Sequence, residues 1–158
     1  MGCIMSKRTE SVSKSKVIMT IITIVFACLI FLQSALPAEA SNSESVGFTT
    51  FLNNFLLSLK LNVVLGHAFV RKLAHFTEFF VFGILLTATS CTYTSRPHRR
   101  ILSLLFFALF TAVSDETIQM FVSGRFASLS DVHLDFFGAL VGIGIALLIK
   151  CIKNAFHR

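Results

Sequence analysis

Residues 71–92 read RKLAHFTEFFVFGILLTATSCT, and the architecture turns on how that stretch is taken. From Leu73 to Thr92 it is mostly apolar, and 20 residues rising about 1.5 Å each cross a hydrocarbon core about 30 Å thick. Arg71 and Lys72 stand at its threshold, and His75 and Glu78 lie within its first turns. An ionisable group inside a span costs roughly 2.5–3.5 kcal/mol on insertion scales, so its position carries information. The stretch therefore reads as a transmembrane helix with polar business at one end.

Working outward, the same pattern recurs. Val17–Leu36 is another run of 20 residues, following a basic leader that holds Lys7, Arg8, Lys14 and Lys16. Ala38-Glu39-Ala40 resembles a signal-peptidase site, but a signal core is usually about 7–15 residues, which favours a retained helix. Beyond the basic turn of Arg96, Pro97, His98, Arg99 and Arg100, a third span covers 101–122 and is broken by Ser123-Gly124. A fourth covers 131–150, where Gly138 and Gly142 fall on one stripe and permit close helix approach. The expected fold is an all-α polytopic membrane bundle of four transmembrane helices. Its parts are a leader at 1–16, one membrane domain at 17–153 and a tail at 154–158.

Between the first two spans, 37–47 reads as an exposed polar linker. Phe48, Phe51, Leu52, Phe55, Leu56 and Leu59 then recur at helical spacing, with Thr49, Thr50, Asn53, Asn54 and Ser58 opposite. That amphipathic pattern suits a helix in the membrane interface; a helix packed on the bundle is the competing reading. Composition agrees with a membrane protein, at 54% hydrophobic and 14% charged, with 18 Phe and no Trp. The net charge of +6 sits in short clusters beside apolar runs, which argues for membrane orientation and against nucleic-acid binding. Cys3, Cys28, Cys91 and Cys151 show no metal-ligand spacing and read as packing residues, with no disulfide expected.

Charge sets the expected orientation. Placing both termini and the 93–100 turn on one side gives it ten of the 14 Lys and Arg, leaving Lys60, Arg71, Lys72 and Arg125 opposite. The richer side should be cytoplasmic, in a plasma-membrane protein with both termini inside. Three spans then bring their polar groups to one depth near the outer face: His75 and Glu78; Asp115, Glu116 and Gln119; Asp131 and Asp135. Spacing of three or four residues puts each pair on one helix face, but adjacent Asp115 and Glu116 point about 100° apart, so one of them is expected to face the centre. Five carboxylates against Arg71, Lys72 and Arg125 leave a balance of −2 that a proton, a cation or a metal must offset. Three roles fit: a network fixing helix packing, a site for an extracellular or lipid head-group ligand, or an acid–base site in which the carboxylates hold a divalent metal. No nucleophile motif accompanies the cluster, which weighs against an enzyme, and no metal ligand is assigned.

The ordered set resembles the VanZ-like family of small bacterial membrane proteins. Arg71-Lys72-Leu73-Ala74-His75-Phe76-Thr77-Glu78-Phe79 is similar to the family's basic pair, His and Glu at the start of a span. Asp115-Glu116-Thr117-Ile118-Gln119 with Gly124-Arg125 resembles its Asp-Glu-x-x-Gln and Gly-Arg element, and Asp131-Val132 with Gly138 and Gly142 its last span. Phe31 to Ser45, with Ser34, Ser41 and Ser45, resembles the exit from the first span. Departures are Ser123 where the family often has Pro, Asp135 where it often has Asn, and Phe79 for a frequent Tyr. The resemblance implies a cell-envelope role and lowered susceptibility to glycopeptides such as teicoplanin. It also implies partners among membrane lipids, a lipid head group or a cell-wall precursor; an enzyme acting on a lipid-linked envelope component is the alternative. In a bacterial family, the myristoylation-like start at Gly2 is accidental.

Overall fold

A computed structural model describes residues 2–60, 64–125 and 127–156, with side chains described at 14–37, 46–60, 64–125 and 127–156. The described residues form five α-helices: α1 Gly2–Ser34, α2 Ala38–Ser58, α3 His67–Tyr93, α4 Ile101–Met120 and α5 Leu129–Phe156. A short 3-10 turn, Pro97–Arg100, leads into α4. Four of the helices are long and apolar enough to cross a membrane, and α2 is not. Lys7 and Arg8 of the leader lie outside the described side chains.

Chain breaks follow local chemistry. Pro37 has no amide hydrogen and a fixed φ, so α1 stops before it and α2 starts just after it. Gly66 precedes α3, and Gly124, at φ 77°, turns the chain between α4 and α5 in a region that favours glycine. The stretch 37–47, expected as a linker, is helical from Ala38 onward. Ala and Glu are strong helix formers, and the helix already propagating from Phe48 extends backward to the proline. Helices α3 and α5 also start earlier than expected, at His67 and Leu129.

The molecule is turned inside out relative to a water-soluble bundle. Ile18, Ile22, Val25 and Leu29 on α1 and Leu102, Phe106 and Phe110 on α4 face outward, while Thr87, Asp115, Glu116, Gln119 and Asp135 are buried. Exposed apolar surface costs nothing against lipid, whereas a polar group there has no partner, so the polar residues go inside. The core is narrow: Phe79 and Phe82, three alanines (Ala108, Ala112, Ala139), Ile30, Leu104 and Ile143. Small residues let the backbones close, and van der Waals packing replaces the hydrophobic effect as the attraction.

Packing is tightest between α3 and α5. A Cβ on Gly142 would collide with the Phe80 carbonyl and one on Gly83 with the Ala139 carbonyl. One on Gly138 would lie 2.6 Å from the Phe76 carbonyl oxygen. Helix α1 joins the bundle by a mid-span hydroxyl pair, Thr23 Oγ1 to Thr89 Oγ1 at 2.7 Å, and by Ile30 in the core. Among the described cysteines the packing reading is corrected: Cys28 and Cys151 face outward and Cys91 is half-buried, while Cys3 lies outside the described side chains.

Helix α2 docks by its polar edge. Thr49 is buried, and the Asn53 amide bridges to Leu65 just before α3, accepting from its N–H at 2.9 Å and donating to its carbonyl at 3.2 Å. Phe48, Phe51 and Phe55 remain outward. Asn53 satisfies a loop backbone that an apolar residue would leave unpaired, which explains why the polar edge meets the protein.

Candidate functional site

The polar end begins with how α3 leaves its loop. Residues 71, 75 and 78 share one stripe, so Arg71, His75 and Glu78 lie on one side of α3. His75 Nδ1 is 3.8 Å from Glu78 Oε2, an ion-pair distance rather than a hydrogen bond. Next to this stripe Lys72 approaches Asp131 of α5 at 3.7 Å, with both side chains well exposed. Such surface pairs contribute about 0–1 kcal/mol, so this one guides charge more than it holds helices.

Helix α4 supplies the buried acids. Asp115 is wholly buried, and Gln119, one turn on, donates from Nε2 to its Oδ2 at 3.0 Å and to Ser34 Oγ at 3.4 Å. Glu116 is also buried, contrary to the expectation that only one of the two acids faces inward. The physical reason is the turn at Gly124, which brings the following loop back against Glu116. There the Ser128 backbone N–H donates to Glu116, and Arg125, itself buried, donates from Nη2 to the Gln33 carbonyl at 3.3 Å. Burial and the nearby charge of Arg71 pull the Arg125 guanidinium below its ordinary pKa, while Asp115 and Glu116 oppose this. Its ordinary value is so high that it stays charged.

From α5 come Asp131, in the first turn, and Asp135, one turn deeper and almost wholly buried. Around these groups lies a cavity of about 200 Å³ lined by Arg71, Lys72 and His75 of α3, Glu116 and Gln119 of α4, and Asp131 and Asp135 of α5. Asp115 stands behind this wall: one donor atom each of Asp115, Asp135 and His75 lies within 4.8 Å of the others. Glu78 sits deeper, against the Gln33 side chain, and Arg125 lies off the wall on the α1 side. Of the residues singled out from sequence, Glu78, Asp115 and Arg125 therefore do not line the cavity but support it. Gly138 and Gly142 belong to the seam below.

Several polar atoms here are buried with no partner among the described residues: His75 Nδ1, Asp115 Oδ1, Glu116 Oε2, Asp135 Oδ1, and Nε and Nη1 of Arg125. Each such atom costs roughly 1–3 kcal/mol. Gln33 and Ser34 were not singled out for the site, although they contact Arg125 and Gln119. Their signal was two adjacent polar residues ending an otherwise apolar run. Ser128 acts through its backbone and left no side-chain signal.

A multi-pass helical membrane protein with a buried acid and imidazole cavity at one end of its bundle is the class that this geometry defines. The VanZ/LLP1 family model matches residues 19–150, which include every residue of the cavity wall, and the chain belongs to that family. No curated protein and no solved structure matches it.

Proposed function

We propose that the chain is a non-enzymatic cell-envelope protein of the plasma membrane whose cavity opens to the outer face. Both termini lie in the cytoplasm, and the cavity holds the head group of a lipid or of a lipid-linked cell-wall precursor. The observation that carries this reading is the set of buried, unpartnered polar atoms beside a cavity of about 200 Å³. Arg71 and Lys72 at its wall suit a phosphate, since a guanidinium offers paired donors and an ammonium a point charge. Glu116 and Asp135 on the same wall accept hydrogen bonds from hydroxyls or an amine of the same head group. Covering a precursor's head group would lower its access to a glycopeptide, which links the cavity to teicoplanin susceptibility.

The experiment pairs two measurements on the same variants. Lipids that co-purify with the protein in nanodiscs are identified by native mass spectrometry, and teicoplanin susceptibility is measured in cells expressing it. Arg71→Gln and Glu116→Gln are expected to keep folded yield while losing the bound head group and any susceptibility effect. If every variant that loses the effect loses stability in proportion, the polar end is a packing network and the binding reading is wrong.

One observation favours a second reading, an enzyme on a lipid-linked envelope component: Glu78 lies 3.8 Å behind His75, as an orienting carboxylate lies behind a general base. Turnover of the bound lipid, lost in His75→Gln, would select it.

A further inference from the structure

We propose that His75, Asp115 and Asp135 form a binding site for one divalent transition-metal ion, placed where α3, α4 and α5 meet. Each helix contributes one ligand, and the three donor atoms lie within 4.8 Å of one another. Metal–nitrogen and metal–oxygen bonds of about 2.0–2.2 Å put donors on one ion about 3–4 Å apart, so closing the site takes side-chain shifts of about 1 Å. Asp115 is 0% and Asp135 1% exposed, and each carries an Oδ1 with no hydrogen-bond partner, as does His75 at Nδ1. A dication supplies what both carboxylates lack, because it neutralises two like charges held side by side and uses their free lone pairs.

The surroundings suit ligation. Gln119 braces Asp115 from behind at 3.0 Å and is itself in contact with Ser34, the kind of outer support that fixes a ligand's orientation. One imidazole with two carboxylates favours Zn²⁺, Mn²⁺ or Fe²⁺ over Mg²⁺ or Ca²⁺, which prefer all-oxygen sets. His75 and Asp135 also line the cavity, so coordination positions left open by the protein would face it. The site rests on these three residues and does not depend on the head-group reading.

The test uses the metal alone. Full-length protein in detergent is stripped with a chelator, reloaded with Zn²⁺, Mn²⁺ or Mg²⁺, passed through gel filtration and assayed for metal content and melting temperature. About one equivalent of Zn²⁺ or Mn²⁺ should be retained, with a raised melting temperature and little retention of Mg²⁺. Asp115→Asn and Asp135→Asn should each weaken retention at least tenfold, while the exposed-histidine variants His98→Gln and His133→Gln should match the parent. If the aspartate variants do not fold, His75→Gln makes the same comparison. Folded parent protein that retains less than about a tenth of an equivalent overturns the proposal. Retention that survives in the Asp or His75 variants, or that follows His98 or His133, overturns it as well.

Discussion

Helices α3 and α5 meet twice, and the two meetings could hardly differ more. Along Gly83, Gly138 and Gly142 the backbones touch with no room for a methyl group, and along His75, Asp131 and Asp135 the same helices stand around a cavity. The first region gains from every contact. The second buries ionisable groups with free lone pairs, a standing cost that a stability-driven design would remove. The difference teaches that the glycine seam is the fixed reference: by setting the helix separation below, it holds the acids and the imidazole at a defined spacing above. Rigid support under an energetically strained cluster is how binding and catalytic sites are built.

The sharpest challenge to this comparison concerns which side of the membrane the polar region faces. Reporter fusions after residues 45, 96, 127 and 158 should read outside, inside, outside and inside. A C-terminus found outside would turn the cavity toward the cytoplasm and rule out the head-group role proposed for it. Within the protein, the largest effect belongs to the seam. Gly142→Val drives a branched side chain into the Phe80 backbone, which cannot swing away as a side-chain tip would. Overpacking typically costs about 1–3 kcal/mol, and a backbone collision should exceed that, so folded yield and monodispersity on gel filtration should collapse. If Gly142→Val melts like the parent protein, the seam is not the fixed reference.

At the polar end a mid-sized effect is expected from Glu116→Ala. It strips the acceptor from the Ser128 N–H and removes a charge near Arg125. A loss of about 2 kcal/mol follows from one orphaned buried donor and one less compensated cation, read as a lower melting temperature. Glu116→Gln retains the carbonyl acceptor and should recover most of it. Equal losses in both variants would mean that charge, not the loop hydrogen bond, is what Glu116 provides.

Much of the fold was legible because span length and apolar run are the same physical quantity, and Val17–Leu36 or 101–122 needs no tertiary context to be read. The convergence of polar groups at one end was also legible, since alternating helix directions fix which turns share a depth. What stayed hidden depends on contacts between elements. Periodicity sorted α2 into two faces, but only the need of the Leu65 backbone for a partner decides that Asn53 turns inward. Helical geometry put Asp115 and Glu116 on different headings, yet Asp115 is buried inside the bundle and Glu116 under the loop that returns at Gly124. Gly83 has no glycine partner on its own helix, so its place in the seam leaves no spacing signal. Gln33 vanished into the average of an apolar run, and Ser34 stood out only as part of the family-like exit from the first span.

The smallest effect should have the opposite sign, and it is the most informative because only the polar region allows it. Asp135 is almost wholly buried, has an unpartnered Oδ1 and lies close to Asp115, another buried acid. Replacing one of two crowded carboxylates removes like-charge repulsion and a desolvation cost, and buried charges have been exchanged for neutral groups with gains of about 1–4 kcal/mol. Asn is near-isosteric, and its amide N–H can donate toward the free oxygen of Asp115, so packing is kept and one orphaned acceptor is satisfied. Metal-free Asp135→Asn should therefore be more stable than the parent by about 1 kcal/mol, a rise of about 3 °C in melting temperature for a chain of this size. Measuring both in excess chelator keeps bound metal from masking the gain. Gly138→Ala, on the same helix, meets the Phe76 carbonyl and should fall, giving opposite signs three residues apart. A clear loss of stability in metal-free Asp135→Asn would show that the carboxylate holds the helices together, and the contrast between a supporting seam and a strained polar end would be lost.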